Sequence, residues 1–235
     1  MTTDDVRHGF ARALRTLDAS DLATQLCRAC STALRIEGCG VSLHAGGLGL
    51  EFASATDPTA ERLEWAQITL GEGPAVDSFA SDEPVAVHDP GEVLDRWPML
   101  SRTTSDLHLH RVCALPLRLG AIRLGVLDLR RGPRDPFGLN DVDDAMTFAE
   151  LAGVALARLA GTTGGLSRTM AEWWNRPLPT REVRQATGMV VVQLGVAAPE
   201  AYARLRAHAF ANGRSLDLVA GDVVGRRLRF RDRDA

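Results

Sequence analysis

The spacing of apolar positions along this chain changes several times, and each change marks an element. Leu22, Leu26, Cys30, Ala33 and Leu34 recur at the spacing of one helix face, and Gly38-Cys39-Gly40 stops the run. "VSLHAGGLGLEFASA" then reads as two short strands around a Gly-Gly turn. "DPTAERLEWAQ" predicts a short helix with Asp57 as its N-cap and Pro58 at its first position. "ITLGEGPAVDSFASDEPVAVHD" predicts a strand, a glycine-rich bend, a helical turn and a second strand. "RVCALPLRLGAIRLGVLDLRR" predicts two strands in a hairpin that turns near Gly120. After the loop "GPRDPFGLND", a long helix is expected over 140–160, with Asn140 as its cap and acidic residues in its first turn. Its second half is apolar on most sides. One face can cover the sheet; the other needs a partner such as a second subunit.

"GTTGG" at 161–165 breaks the chain, and "LSRTMAEWWNRPLP" follows. Trp173 and Trp174 there either dock the linker on a domain or pack locally. Three short helices are expected next. The first turns Val183, Ala186, Val190 and Leu194 inward and ends at Gly195. The second starts at Pro199, turns Ala201, Leu205 and Ala209 inward and closes at Asn212-Gly213. Ser215 is placed to cap the third, with Leu216, Val219, Ala220, Val223, Val224 and Leu228 inward. The organisation is α+β: an antiparallel sheet with flanking helices over 17–160, a linker over 161–179 and an all-α module over 180–230. Short tails flank these at 1–16 and 231–235.

Composition adds one distinction. The 235 residues are 45% hydrophobic and 24% charged, with a net charge of −3, as in an ordinary globular protein. The charge is unevenly spread. From 181 to 235 there are ten arginines against six acidic residues; the rest of the chain holds 17 against 24. An acidic body therefore carries a mildly basic tail module. No apolar run is long enough for a membrane-spanning helix. The acidic start "MTTDDVRHGFARALRTLDASD" lacks the features of a signal peptide, so the cytoplasm is the expected location. Four cysteines make no disulfide framework. Cys27 and Cys30 form a C-x-x-C on a helix, and zinc would require Cys39 and Cys113 to converge on them. No Walker loop, H-E-x-x-H or G-x-S-x-G occurs, so no enzyme activity and no metal site are expected.

"LGEGPAVDSFASDEPVAVHD", "RWPML", "CALPLRLGAIRLGVLDLRR" and "DPFGLNDVDDAMTFAELAGVALARL" occur in that order, and together they resemble a GAF domain. The tail resembles an ANTAR domain, the three-helix antiterminator module. That resemblance rests on Arg181, Val183, Gln185, Ala186 and Gly188, then Glu200, Ala201, Leu205 and Arg206, then Arg214, Leu216, Val219 and Ala220. The pairing implies a sensor domain that controls transcription by binding hairpin loops in nascent RNA. Three polar positions depart from the ANTAR pattern. Thr187 stands where a lysine is usual, Ala209 where a serine is, and Ser215 where a lysine often precedes the third helix.

Candidate residues follow. Arg181, Arg184, Gln185, Gly188, Arg206 and Arg214 are the RNA-binding candidates, and this reading requires the arginines to gather on one face. The alternative is that they solvate the outside of the helices. For a small-molecule ligand of unspecified kind, the candidates are Gly71 and Gly73, which allow close backbone approach, with Val87, Asp89, Trp97, His108 and Cys113. The alternative is a plain turn in a ligand-free scaffold. The expected partners are RNA hairpins and a second copy of the chain, joined through the 140–160 helix and the GAF helices; neither DNA nor a membrane is expected. Two other functions stay open: a scaffold whose divergent ANTAR module contacts protein, and a GAF-type redox enzyme.

Overall fold

The computed structural model describes residues 22–107, 109, 111–132, 137–161 and 180–231. Trp173, Trp174, His108, the tail 1–16, all of the linker beyond 161 and the last four residues lie outside them. The chain starts with α1 (Leu22–Leu34), β1 (Gly38–His44) and β2 (Leu50–Ala55). Next come α2 (Pro58–Leu70), α3 (Pro74–Ser81) and β3 (Val85–Val87). Two short helices, α4 (Pro90–Arg96) and α5 (Pro98–Thr103), lead into the hairpin β4 (Arg111–Leu119) and β5 (Ile122–Arg131). The long α6 (Leu139–Gly161) closes the sheet domain. The module beyond it is α7 (Arg181–Leu194), α8 (Ala198–Ala211) and α9 (Leu216–Val224).

The five strands lie in the order β2-β1-β5-β4-β3, and every pairing is antiparallel. The alternation of side chains across the strands gives the sheet two different faces. Val41, Cys113, Leu115, Leu127 and Leu129 point to one face, where α1 and α6 cover them in an apolar core with Leu26 and Phe148. Ser42, Val87, Val112, Ala114, Val126 and Asp128 occupy the other, under α2, α3 and α5. Of the 140–160 helix, Ala145, Phe148, Ala149 and Ala152 are buried, while Glu150 and Val154 stay exposed.

Three local expectations are corrected. Ile68 to Leu70 is not a strand: α2 runs on to Leu70 and ends at Gly71, whose φ of 69° only glycine adopts freely. The β-branched pair Ile68-Thr69 suggested a strand, but both side chains are buried and the packing of the helix outweighs propensity. The long helix begins at Leu139, so Asn140 lies inside it; the Asp141 carboxylate accepts from the Gly138 amide at 2.8 Å. Ser215 makes no side-chain cap. The first amide of α9, that of Leu216, is instead capped by Thr69 of α2, at 3.0 Å. Asp57 does cap α2, accepting from Thr59 and Ala60.

Candidate functional site

Under α2 the sheet carries a buried polar network alongside apolar clusters. Ser42 on β1 donates to Glu64, the Gln67 amide donates to Asp128 on β5 at 2.5 Å, and the Ala75 amide donates to the Gln67 carbonyl at 2.8 Å. All of these side chains are buried. Gly40 leaves room for Glu64: a side-chain carbon there would stand 2.2 Å from the carboxylate. Gly73, with φ 135°, likewise leaves room for Gln67. Burial and the neighbouring Asp128 push the Glu64 carboxyl well above the usual range. Burial pushes Asp128 up to about 6, with hydrogen bonds from Glu64 and Gln67 pulling it back. Two like charges in so dry a place do not both ionise, and the pair shares a proton. Asp128 Oδ1 and the buried Ser78 hydroxyl on α3 have no hydrogen-bond partner among the described residues. Sequence reasoning missed this network. Its signal was a glutamate and a glutamine within the buried stretch "LEWAQ", facing an aspartate inside an apolar strand.

This network gives a pH prediction. Asp128 titrates at about 6 in the fold and at 3.8 when unperturbed, so between those values the folded chain binds more protons than the unfolded one. Stability from this group is fully present below the lower value and is lost as pH rises through the upper one. Asp128→Asn removes that slope. Thermal melts at about pH 5 and about pH 7.5 should show the variant gaining on the wild type at the higher pH. An equal gap at both pH values would contradict the shared proton.

The ligand candidates divide between the two faces of the sheet. Gly73 starts α3 against Gln67 of the polar network, while Gly71 ends α2 facing Arg206. Val87 lies on the same face of the sheet, packed with Leu63, Leu100 and Trp97. Trp97 is buried, its indole donates to Asp77 at 3.1 Å, and Arg96 stacks on its ring. Asp89 caps α4 through the Gly91 amide. Cys113 points to the opposite face, into the apolar core under α1 and α6, so it is apart from the others. Cys27, Cys30 and Cys39 are buried in that same core. Burial pushes the Cys39 thiol up and the Cys113 thiol to about 12, which disfavours the thiolate that redox chemistry needs. No group of metal-ligating side chains occurs among the described residues.

The RNA-binding candidates also divide. Gln185 and Gly188 are exposed on α7 and line an open groove of about 600 Å³ with Met189, Val192, Arg226 and Arg229. Arg181 is exposed at the start of α7. Arg184 turns toward the sheet domain, where its guanidinium donates to Glu51 of β2 at 2.9 Å. Arg206 lies over Gly71, about 3.4 Å from where a side-chain carbon would stand. Between them Tyr202 is buried, and burial and Glu51 push its phenol up to about 12 against the pull of Arg206. Arg214 pairs with Asp222 at 2.7 Å at the edge of the same seam. Thr187 is buried and donates to its own helix at the Val183 carbonyl, so it stands in the core of the module.

The two parts share one apolar cluster. Phe52, Trp65 and Ile68 of the sheet domain pack with Val183, Tyr202, Leu205 and Leu216 of the module. The sheet domain, with a polar network on one buried face, thus packs through β2 and α2 against the helical module. Family models match a GAF domain over residues 18–156 and an ANTAR domain over 180–224. The chain belongs to the GAF-domain family and carries an ANTAR domain behind it, the makeup of a signal-regulated ANTAR-type regulator.

Solved GAF domains share the fold. One from a phosphoenolpyruvate-protein phosphotransferase of Coxiella burnetii is 14% identical, with a TM-score of 0.53 over 70% of this chain and 99% of that one. Residues 122 to 287 of a methyl-accepting chemotaxis protein are 16% identical, with a TM-score of 0.53 over 66% and 99%. Free methionine-R-sulfoxide reductase from Neisseria meningitidis, solved with its substrate, is 15% identical, with a TM-score of 0.50 over 68% and 93%. At such identities the likeness shows the fold alone. No match is found among curated proteins. Among the described residues no helix is long and apolar enough to cross a membrane.

Proposed function

We propose that this chain is a signal-responsive transcription regulator of the cytoplasm, in which the GAF domain controls an ANTAR domain that binds RNA hairpins and acts by antitermination. The role is binding, not catalysis. The observation that carries the reading is the open groove of the ANTAR domain. There Gln185 and the bare backbone at Gly188 meet Arg226 and Arg229 above the apolar Met189 and Val192. Arginines serve single-stranded loops in two ways: their guanidinium planes stack on splayed bases and their charge holds the phosphates. Arg181 is exposed at the start of the groove's helix, while Arg184, Arg206 and Arg214 lie at the seam with the GAF domain and are the further RNA contacts of this reading.

On the sensor side, Ser42, Glu64, Gln67 and Asp128, with Gly73 against Gln67, are suited to a small polar ligand. The unpartnered Asp128 Oδ1 and Ser78 hydroxyl supply free hydrogen-bonding capacity there. Dimerisation through α6 and the GAF helices would present two ANTAR domains to paired hairpins, raising the effective concentration of the second contact. Sequencing RNA crosslinked to the full chain in its native cells tests the reading. Hairpin loops should be enriched; recovery of no RNA above background would reject it in favour of a module that contacts protein.

A further inference from the structure

We infer that the docked arrangement is the off state of the regulator: the GAF domain holds the ANTAR domain by Arg184 and Arg206, and α2 is the element that releases them. This rests on the RNA-binding reading and names its regulation. Carboxylates and phosphates compete for the same guanidinium fork. Glu51 occupies that of Arg184, so RNA cannot use Arg184 until β2 lets go. Arg206, half-buried, lies against the turn at Gly71 in the same seam.

The seam has the features of a contact that opens. Glu51 is only 4% exposed, and its Oε1 has no hydrogen-bond partner among the described residues. A buried carboxylate with one oxygen unpaired adds little net stability, while its charge fixes which cation must face it. A cleft of about 500 Å³ remains between the domains, lined by Trp65, Leu70, Met99, Phe210, Arg214 and Leu218. On the GAF side, two adjacent elements supply the ion pair, the helix cap and the aromatic rings of the seam. Glu51 and Phe52 lie on β2, and Trp65, Ile68 and Thr69 on α2.

The same α2 forms the sensor. Glu64 and Gln67 point into the buried polar network, while Trp65, Ile68 and Thr69 point into the ANTAR domain. A helix one turn deep in each layer cannot shift on one side alone, because packed interfaces repack in discrete steps. A ligand that re-pairs Glu64 or Gln67 therefore moves the cap that Thr69 places on α9. While the dock is closed, the apparent RNA affinity is reduced by the fraction of molecules that are open.

The test uses the full chain as wild type, Glu51→Gln and Thr69→Val, each change keeping side-chain volume. Amide exchange at Leu216 reports docking, and equilibrium binding to a hairpin-loop RNA reports the gate. Both variants should exchange faster at Leu216 and bind the RNA about tenfold or more tighter than wild type. Faster exchange with wild-type RNA affinity would overturn the gate and leave the RNA reading intact. Unchanged exchange in both variants would overturn the latch itself. Absence of RNA binding in every form, opened or closed, would overturn the RNA reading and the gate with it.

Discussion

Replacing Trp65 by alanine is expected to destabilise the full chain by about 3–5 kcal/mol, the range for deleting a large buried aromatic side chain. For a chain of this size that lowers Tm by about 6–20 °C. The indole is 5% exposed. Its ring lies 5.3 Å from that of Phe52 at 51°, and both belong to the cluster shared with Val183, Leu205 and Leu216. The substitution thus opens a cavity at the place where two domains support each other. Loss of the docking contact should also split the melt, with the ANTAR domain unfolding apart from the GAF domain. Circular dichroism with calorimetry checks both points. A single transition within about 2 °C of wild type would contradict a structural role for Trp65 at the seam.

How far these features could be seen in the sequence depended on distance along the chain. Local chemistry was readable. Asp57-Pro58 starts α2, Gly120 turns the β4–β5 hairpin, and Gly195 ends α7 in the left-handed conformation, as their residue types require. The inward positions of the three-helix module were equally plain, because their spacing follows one helix face: Val183, Ala186, Val190, Leu205, Val219 and Val223 are all buried. Partners far apart in sequence were not. Thr69 caps a helix 147 residues away, while Ser215, next to that helix, does not. Glu51 and Arg184 are separated by 133 residues, so a lone glutamate in a short strand gave no hint of its cation. The Glu64–Asp128 network escaped for the same reason: each member alone reads as a solvated charge. Cys113 is among the ligand candidates of the sequence, but alternation along β4 sends it to the other face.

Arg184→Ala with Arg206→Ala is expected to weaken hairpin-RNA binding by about 100-fold or more, from the loss of two charge-assisted contacts of about 1.5 kcal/mol or more each. This effect separates two roles of one ion pair. Glu51→Gln and Arg184→Ala both weaken the contact across the seam, but only the second removes a cation that RNA would use. Their effects on RNA affinity should therefore be opposite in sign. If the arginines served only to hold the ANTAR domain in place, both changes would shift affinity in the same direction.

RNA binding under GAF control is tested most directly by a salt titration of the full chain against a hairpin-loop RNA, run beside Arg184→Ala/Arg206→Ala. The logarithm of affinity should fall linearly with the logarithm of salt, by about 0.7 per phosphate contact on a single strand, and the double variant should flatten that slope by about 1.4. Absence of binding at low salt, or an identical slope in the two proteins, would contradict it.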